Sequence, residues 1–392
     1  MSLLNIFWIF LRLGCTSFGG PIAHLMYFRK RFVEQYHWLS EQEYARLLTL
    51  CQTLPGPASS QVGFAIGMHK GGLIGGILAF VGFTAPTVIL LVAFANYLYL
   101  FSGEYGQAVI GGLMILSFVV VSQGLVGMCK SLSSTFLLAG ISMLSFVLLV
   151  VLPSVWMQLS VIIGGAVIHF AIVQARAANT ATKETTHSTV RDEQVMGRPF
   201  MAWFALAGFI ALFVLLPFIS IQADSFYRSG ALVFGGGHVV LPLLEQNLAD
   251  AAMISQADFL AGYGATQAMP GPMFGFAAYL GFISEQNGAY LGAIIATVCI
   301  FLPGFLLLIA ALPYWNILCT KPRFNALIAG ANAAVVGLLA AALYDPIITH
   351  ALKTLPDVLI ALVALTAAWR FKVHVLLVAG GCVLLKLLVL FI

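Results

Sequence analysis

Gln52-Thr53-Leu54-Pro55-Gly56-Pro57 returns in the second half of the chain as Gln267-Ala268-Met269-Pro270-Gly271-Pro272, each inside an otherwise apolar stretch. Proline removes a backbone donor and clashes with the preceding turn, and glycine weakens a helix. Both triplets therefore read as helix breaks. Upstream, Phe10, Arg12, Gly14 and Phe18-Gly19-Gly20-Pro21 return as Phe226, Arg228, Gly230 and Phe234-Gly235-Gly236-Gly237. Downstream, Pro86 returns as Pro303, and Gln107-Ala108-Val109-Ile110 as Asn325-Ala326-Leu327-Ile328. An ordered recurrence at near-constant offset marks an internal duplication.

The surroundings of these breaks are hydrocarbon-like. Of 392 residues, 61% are hydrophobic and 8% charged, against roughly 25% charged in soluble domains. That composition excludes a soluble enzyme, a nucleic-acid binder and a disordered chain. Apolar runs of near-spanning length and a mean hydropathy of +1.01 point to an all-α polytopic membrane protein. The ten-residue alternation of a membrane barrel is missing. Cys15, Cys51, Cys129, Cys299, Cys319 and Cys382 form no CxxC pair and are expected as buried small apolar residues.

A polar stretch containing Lys183, Glu184, His187, Arg191, Asp192 and Glu193 divides the chain. The expected organisation is an N-terminal repeat over 1–175, a cytoplasmic linker over 176–199, a connecting transmembrane helix over 200–223 and a C-terminal repeat over 224–392. Arg29, Lys30, Arg31 and Arg46 follow the first Phe-Gly-Gly segment, whereas residues 245–262 carry Glu245, Asp250 and Asp258 and no Lys or Arg. Basic loops stay cytoplasmic, so the repeats are expected to be inverted, with their broken or re-entrant helices meeting at the membrane midplane. Nine full spans are expected near 71–101, 108–128, 134–153, 156–175, 200–220, 288–312, 325–344, 350–370 and 373–392. If the four segments around the motifs are re-entrant, Arg29, Lys30, Arg31, Arg46, Lys70, Lys130, Arg176, Lys183, Arg191, Arg198, Lys321, Arg323, Arg370 and Lys372 all become cytoplasmic, 14 of the 18 basic residues. Thirteen crossings is the rival count. Both place the N-terminus in the cytoplasm and the C-terminus outside.

A helix broken in lipid leaves polar backbone groups that are tolerated only around an enclosed cavity. Its exposed N–H groups attract anions. Candidate substrate-binding residues are therefore Phe18, Gly19, Gly20, Pro55, Gly56, Pro57, Phe234, Gly235, Gly236, Gly237, Pro270, Gly271 and Pro272. Arg12 and Arg228, six residues before the Phe-Gly-Gly breaks, are candidates to offset an oxyanion's charge. Gln52 and Gln267 are candidate neutral hydrogen-bond partners. His24 and His238 also join the set, although His24 falls on Val240 in the repeat alignment, which argues against a shared metal site. Glu245 is a candidate for proton coupling. Signatures of metalloproteases, serine hydrolases and nucleotide-binding loops are missing, so no catalytic residue, metal or cofactor is expected.

Phe18-Gly19-Gly20-Pro21 with His24, the tract from Gln52 to Pro57 and their second-half echoes resemble the chromate ion transporter family in its long two-domain form, from about residue 3 to the C-terminus. The resemblance implies a prokaryotic inner-membrane protein with antiparallel halves. It implies chromate export and resistance, driven by the membrane potential or a proton gradient. The residues themselves reach only a secondary transporter of a divalent tetrahedral oxyanion. Uptake of sulfate and a passive anion channel remain the alternatives, and the bilayer, the oxyanion and a second copy of the chain are the partners considered. Nucleic acid is not among them.

Overall fold

A computed structural model describes residues 2–18, 20–98, 103–133, 135–179, 199–233, 244, 254–284, 288–315 and 321–391. The described residues are helical throughout, without strands. The linker expected over 176–199 lies mostly outside them. Among the described residues six helices are long and apolar enough to cross a membrane, and large apolar side chains such as Ile89, Phe204, Phe218 and Leu377 are exposed on helix surfaces. In a lipid-facing surface this is the favourable arrangement.

The first repeat opens with two helical hairpins. Helix α1 (Leu3–Thr16) buries Ile6, Phe10, Leu13 and Gly14, one stripe of a 3.6-residue period. After a turn at Ser17, α2 (Gly20–Phe28) leads back through a π-helical turn, Arg29–Gln35. Phe28 and Phe32 pack on Phe10 with ring centroids 5.8 and 5.0 Å away. Helix α3 (Glu41–Thr53) starts with a Ser40/Glu43 capping box, which satisfies the first amides of the turn. Helix α4 (Ala58–Asn96) is not straight: Gly71 and Gly72 leave helical geometry, Gly72 at φ +61°. Its two arms fold against each other, with the Gly67 backbone closely opposed to Gly75.

Both hairpins start and end on one side of the bundle. Leu3 and Ile6 lie against Gly71. His69, at the far end of the first α4 arm, lies against the Trp38 backbone and the Glu43 carboxylate at the start of α3. The Tyr44 hydroxyl donates to Leu25 O at 2.6 Å, tying α3 to α2. The Pro55-Gly56-Pro57 and Ser17–Gly20 turns are therefore the inward tips of two folded-back pairs. The second arm of α4, residues 73–96, is about 36 Å long and can span alone.

The remaining elements are α5 (Glu104–Leu132), α6 (Phe136–Val151), α7 (Val155–Asn179), α8 (Pro199–Ile219), α9 (Ile221–Leu232), α10 (Gln256–Ala268), α11 (Phe276–Ser284), α12 (Ala289–Ala311), α13 (Pro322–Ala342), α14 (Leu355–Arg370) and α15 (Val375–Val389). Helices occupy all nine expected span positions, with three departures. The expected span 71–101 begins only after the Gly71-Gly72 fold. The one expected over 350–370 begins at Leu355, because the chain kinks at Asp345 after α13 and continues as a separate helical turn to Ala351. Helices α6, α14 and α15 have 16, 16 and 15 residues, about 23 Å, shorter than a ~30 Å hydrocarbon core.

The two repeats interlock. Helix α13 packs on α6 and α7 of the other repeat, while α5 packs on α14 and α15. Close backbone contacts recur in corresponding places. Gly14 abuts Phe83 O, and Gly230 abuts Ile300 O; Gly112 abuts Val383, and Gly330 abuts Gly165. Of the cysteines expected to be buried, Cys51 and Cys382 are buried and Cys299 is half-buried, whereas Cys15 and Cys129 are exposed, because in a lipid-facing protein the apolar surface is outside as well as inside; Cys319 lies outside the described residues.

Folded-back pairs make a directional prediction. In a cysteine-free background, Glu43→Cys and Lys70→Cys should react with a membrane-impermeant maleimide from the same side of the membrane. Reaction from opposite sides, compared in intact cells and everted vesicles, would instead establish a full crossing between them.

Candidate functional site at the helix tips

The tips of one repeat are completed by the backbone of the other. The Gly56 N–H donates to Val233 O at 2.7 Å, and the Gly271 N–H donates to Ser17 O at 2.9 Å. Each proline-flanked glycine thus reaches the residue just before the opposite Phe-Gly-Gly motif. Both glycines have positive φ, +116° and +93°, which side-chain-bearing residues rarely adopt. A methyl group at Gly56 would stand 2.9 Å from Gly304 Cα, and one at Gly271 would collide with Thr87 Oγ1. Thr87 follows Pro86 and Gly304 follows Pro303, so these contacts are also reciprocal. Thr87 Oγ1 donates to Pro270 O at 2.5 Å. Gln61 Nε2 donates to Pro55 O and Gly304 O at 3.0 and 2.9 Å. The Pro270 carbonyl freed by its break is met across the repeat interface, and the Pro55 carbonyl is met within its own repeat by Gln61.

The Ser17 carbonyl is the busiest point. It accepts from Gly271 and, at 3.1 Å, from His24 Nε2. Facing a carbonyl, that nitrogen must carry the proton, which leaves Nδ1 as a lone pair in the neutral ring and as a second donor when the ring is charged. His24 is fully buried and edge-on to Phe83 at 5.3 Å. Ser17 Oγ, His24 Nδ1, Thr84 Oγ1 and Gln267 Nε2 are buried without a hydrogen-bond partner among the described residues. Ser17, Thr84 and Gln267 are 1%, 3% and 7% exposed. Orphaned buried donors are costly and call for a ligand or water. Gly20, at φ +76°, begins α2 beside them, and α4 begins at Ala58 directly after Pro57; both helix N-termini are directed at the tips.

Other sequence candidates are placed differently. Arg12 lies on the outer face of α1, opposite the buried stripe. With Asn5, Trp8 and Ile9 it lines an open groove of about 550 Å³. Arg228 is neutralised locally. Its Nε donates to Asp224 at 2.7 Å, and its guanidinium lies 4.5 Å from the Phe213 ring. The structure does not bring either guanidinium to the tips. Gln52 is exposed while its counterpart Gln267 is buried. Phe18 reaches His374, ring to ring at 6.1 Å. Pro55 is half-buried, and Pro57, Pro270 and Pro272 are buried. Gly19, Phe234, Gly235, Gly236, Gly237, His238 and Glu245 lie outside the described residues. No metal-binding group of three or more His, Cys, Asp or Glu exists among the described residues.

Three groups escaped sequence reasoning. Ser17 directly precedes the first motif but pairs with Val233 in the repeat alignment, so recurrence passed over it. Thr84 lies one turn before Thr87. An Asp357–Lys386 ion pair links α14 to α15, its carboxylate 4% exposed, with Lys386 packed on Gly111.

A family model described as chromate transporter matches residues 4–170 and again 220–387. The chain belongs to the chromate transporter family. It is 28% identical over 381 residues to a probable chromate transport protein of Synechococcus elongatus, covering 94% of this chain and 90% of the relative. It is 25% identical over 388 residues to a chromate transport protein of Pseudomonas aeruginosa, covering 96% and 90%, and 24% identical over 383 residues to one of Cupriavidus metallidurans, covering 95% and 89%. No solved structure matches. The match begins again at 220, where Ser220 caps α9. The family's two copies within this chain thus meet through the Gly56–Val233 and Gly271–Ser17 bonds.

These contacts make the second tip sensitive to a single methyl. Gly271→Ala adds backbone strain of about 1–3 kcal/mol and the clash with Thr87. Thermal unfolding in detergent should show a large loss of stability in Gly271→Ala and partial recovery in Gly271→Ala/Thr87→Ala. Strict additivity of the two changes would rule out the Gly271–Thr87 contact.

Proposed function

We propose that this chain is a secondary transporter of the chromate family that moves chromate out of the cell without converting it. The observation that carries this reading is the set of buried, unpartnered donors beside the Ser17–Gly271 junction. Chromate is a divalent tetrahedral anion that accepts hydrogen bonds in every direction. Ser17 Oγ, Thr84 Oγ1 and Gln267 Nε2 can donate, and the N-terminal ends of α2 and α4 add partial positive charge. Neutral donors suit a carrier, which must release what it binds.

The reciprocal tip contacts support two repeats related by a pseudo-twofold axis. The basic character of residues 29–46 and the acidic character of residues 245–258 support inversion across the membrane. On this reading the N-terminus, Arg31 and Lys70 are on the cytoplasmic side of a prokaryotic inner membrane and the C-terminus is outside. Rocking of one interlocked bundle against the other then exposes the tips alternately. The membrane potential, negative inside, assists the outward movement of net negative charge.

Purified protein in liposomes tests this with radiolabelled chromate under an imposed potential or pH gradient. Wild-type protein should accumulate chromate above empty liposomes and above a chloride control. Ser17→Ala and Gln267→Leu should each weaken apparent affinity roughly ten- to a hundredfold, as expected when a hydrogen bond to a charged group is removed. Wild-type affinity in both folded variants would exclude the Ser17–Gly271 junction as the binding site.

A further inference from the structure

We infer that the turn joining α14 to α15, with Arg370, Lys372 and His374, is a one-sided capture station that receives the oxyanion before it reaches the tips; this rests on the transport reading above. The inference starts from helix register. Helices α5 and α15 run antiparallel, Gly111 lying against Lys386 and Gly112 against Val383, with Ile115, Leu116, Val119, Val378, Ala379 and Cys382 buried together beyond. Continuing that register puts Val375, the first residue of α15, level with about residue 120 of α5. Helix α5 runs on to Leu132, so the α14–α15 turn stops roughly 18 Å short of its neighbour's end. It is recessed into the bundle.

The recess opens onto the candidate site. His374 meets Phe18, the neighbour of Ser17, and Ala268, the neighbour of Gln267, packs on the same buried cluster as Val373 and Val375. Arg370, Lys372 and His374 are exposed in it. Neither Arg370 nor Lys372 has a carboxylate within 4 Å among the described residues. Lys372 is held at φ +51°, uncommon for a residue with a side chain. Unpaired cations at this depth require water around them, and a water-filled cleft lined by one sign of charge concentrates the opposite ion.

The corresponding turn in the other repeat is not cationic. At the offset that matches Gln107 to Asn325, Arg370, Lys372 and His374 fall on Leu152, Ser154 and Trp156. Gly165 against Gly330 sets the same register there, but it puts Val155, the first residue of α7, level with about residue 340, close to the α13 end at Ala342. The fold thus sets back and arms only one of the two turns. Arming that one favours loading from its side, which the charge argument assigns to the cytoplasm.

The test compares everted and right-side-out vesicles carrying the full chain, with radiolabelled chromate as probe. Arg370→Gln/Lys372→Gln should raise KM at least about fivefold in everted vesicles at low ionic strength, with the difference shrinking as salt rises. Arg370→Lys/Lys372→Arg keeps both charges and should hold KM within twofold of wild type. Lys130→Gln removes a charge at the exposed end of α5, away from the turn, and should not shift KM. An unchanged KM in the double Gln variant, an equal shift in Lys130→Gln, or an equal shift with chromate presented from the other face would each overturn the inference. Chromate transport absent from wild-type vesicles would remove the transport reading itself, and this inference with it.

Discussion

A polypeptide that breaks its helices inside hydrocarbon must find partners for the groups it frees. Here each repeat finds them in the other. The Gly56 and Gly271 amides donate to Val233 and Ser17, Thr87 donates to Pro270 O and Gln61 to Gly304 O, while Gln61 also meets Pro55 O within the first repeat. An unsatisfied backbone group in the membrane costs several kcal/mol, so neither repeat's tips are stable alone. The interlocking of α13 with α6 and α7, and of α5 with α14 and α15, follows from the same need. Positive φ at both glycines is the local condition for this exchange.

Symmetry satisfies most of the freed backbone groups, and the candidate site lies where the repeats depart from it. Val233 caps one junction with a purely apolar side chain, whereas Ser17 adds a hydroxyl to the other. Gln267 is buried beside that junction, while Gln52 is exposed near its counterpart. The same division holds further out, where Arg370, Lys372 and His374 stand opposite Leu152, Ser154 and Trp156. A perfectly symmetric carrier would treat both faces of the membrane alike. In the proposed mechanism, donors and cations concentrated on one side supply the bias that vectorial transport needs.

The helical membrane fold and the breaks were legible in the sequence because proline and glycine act locally and because hydropathy is a property of single segments. The Arg228–Asp224 pair was legible too, at a spacing of four on one helix, but the repeat alignment drew attention to Arg228 alone. Ser17 and Gln267 were harder, since recurrence favours what the repeats share and the burial that distinguishes Gln267 from Gln52 comes from tertiary packing. The Asp357–Lys386 pair and the Phe18–His374 contact join residues far apart in sequence, so no local pattern signals them. Arg12 illustrates the converse. Its type and place suggested a ligand, yet the face of α1 that carries it is decided by the Ile6–Phe10–Leu13–Gly14 stripe.

The central claim, that chromate sits at the junction of the first Phe-Gly-Gly tip with the second Pro-Gly-Pro tip, can be read directly from the metal atom of the substrate. Anomalous diffraction at the chromium edge from crystals of the full chain grown with chromate locates chromium without a phasing assumption about the site. The account predicts one dominant peak about 4 Å from Ser17 Oγ and Gln267 Nε2, the distance set by a hydrogen bond through an intervening oxo ligand. A dominant peak in the groove beside Asn5, Trp8 and Arg12, with none at the junction, would contradict it.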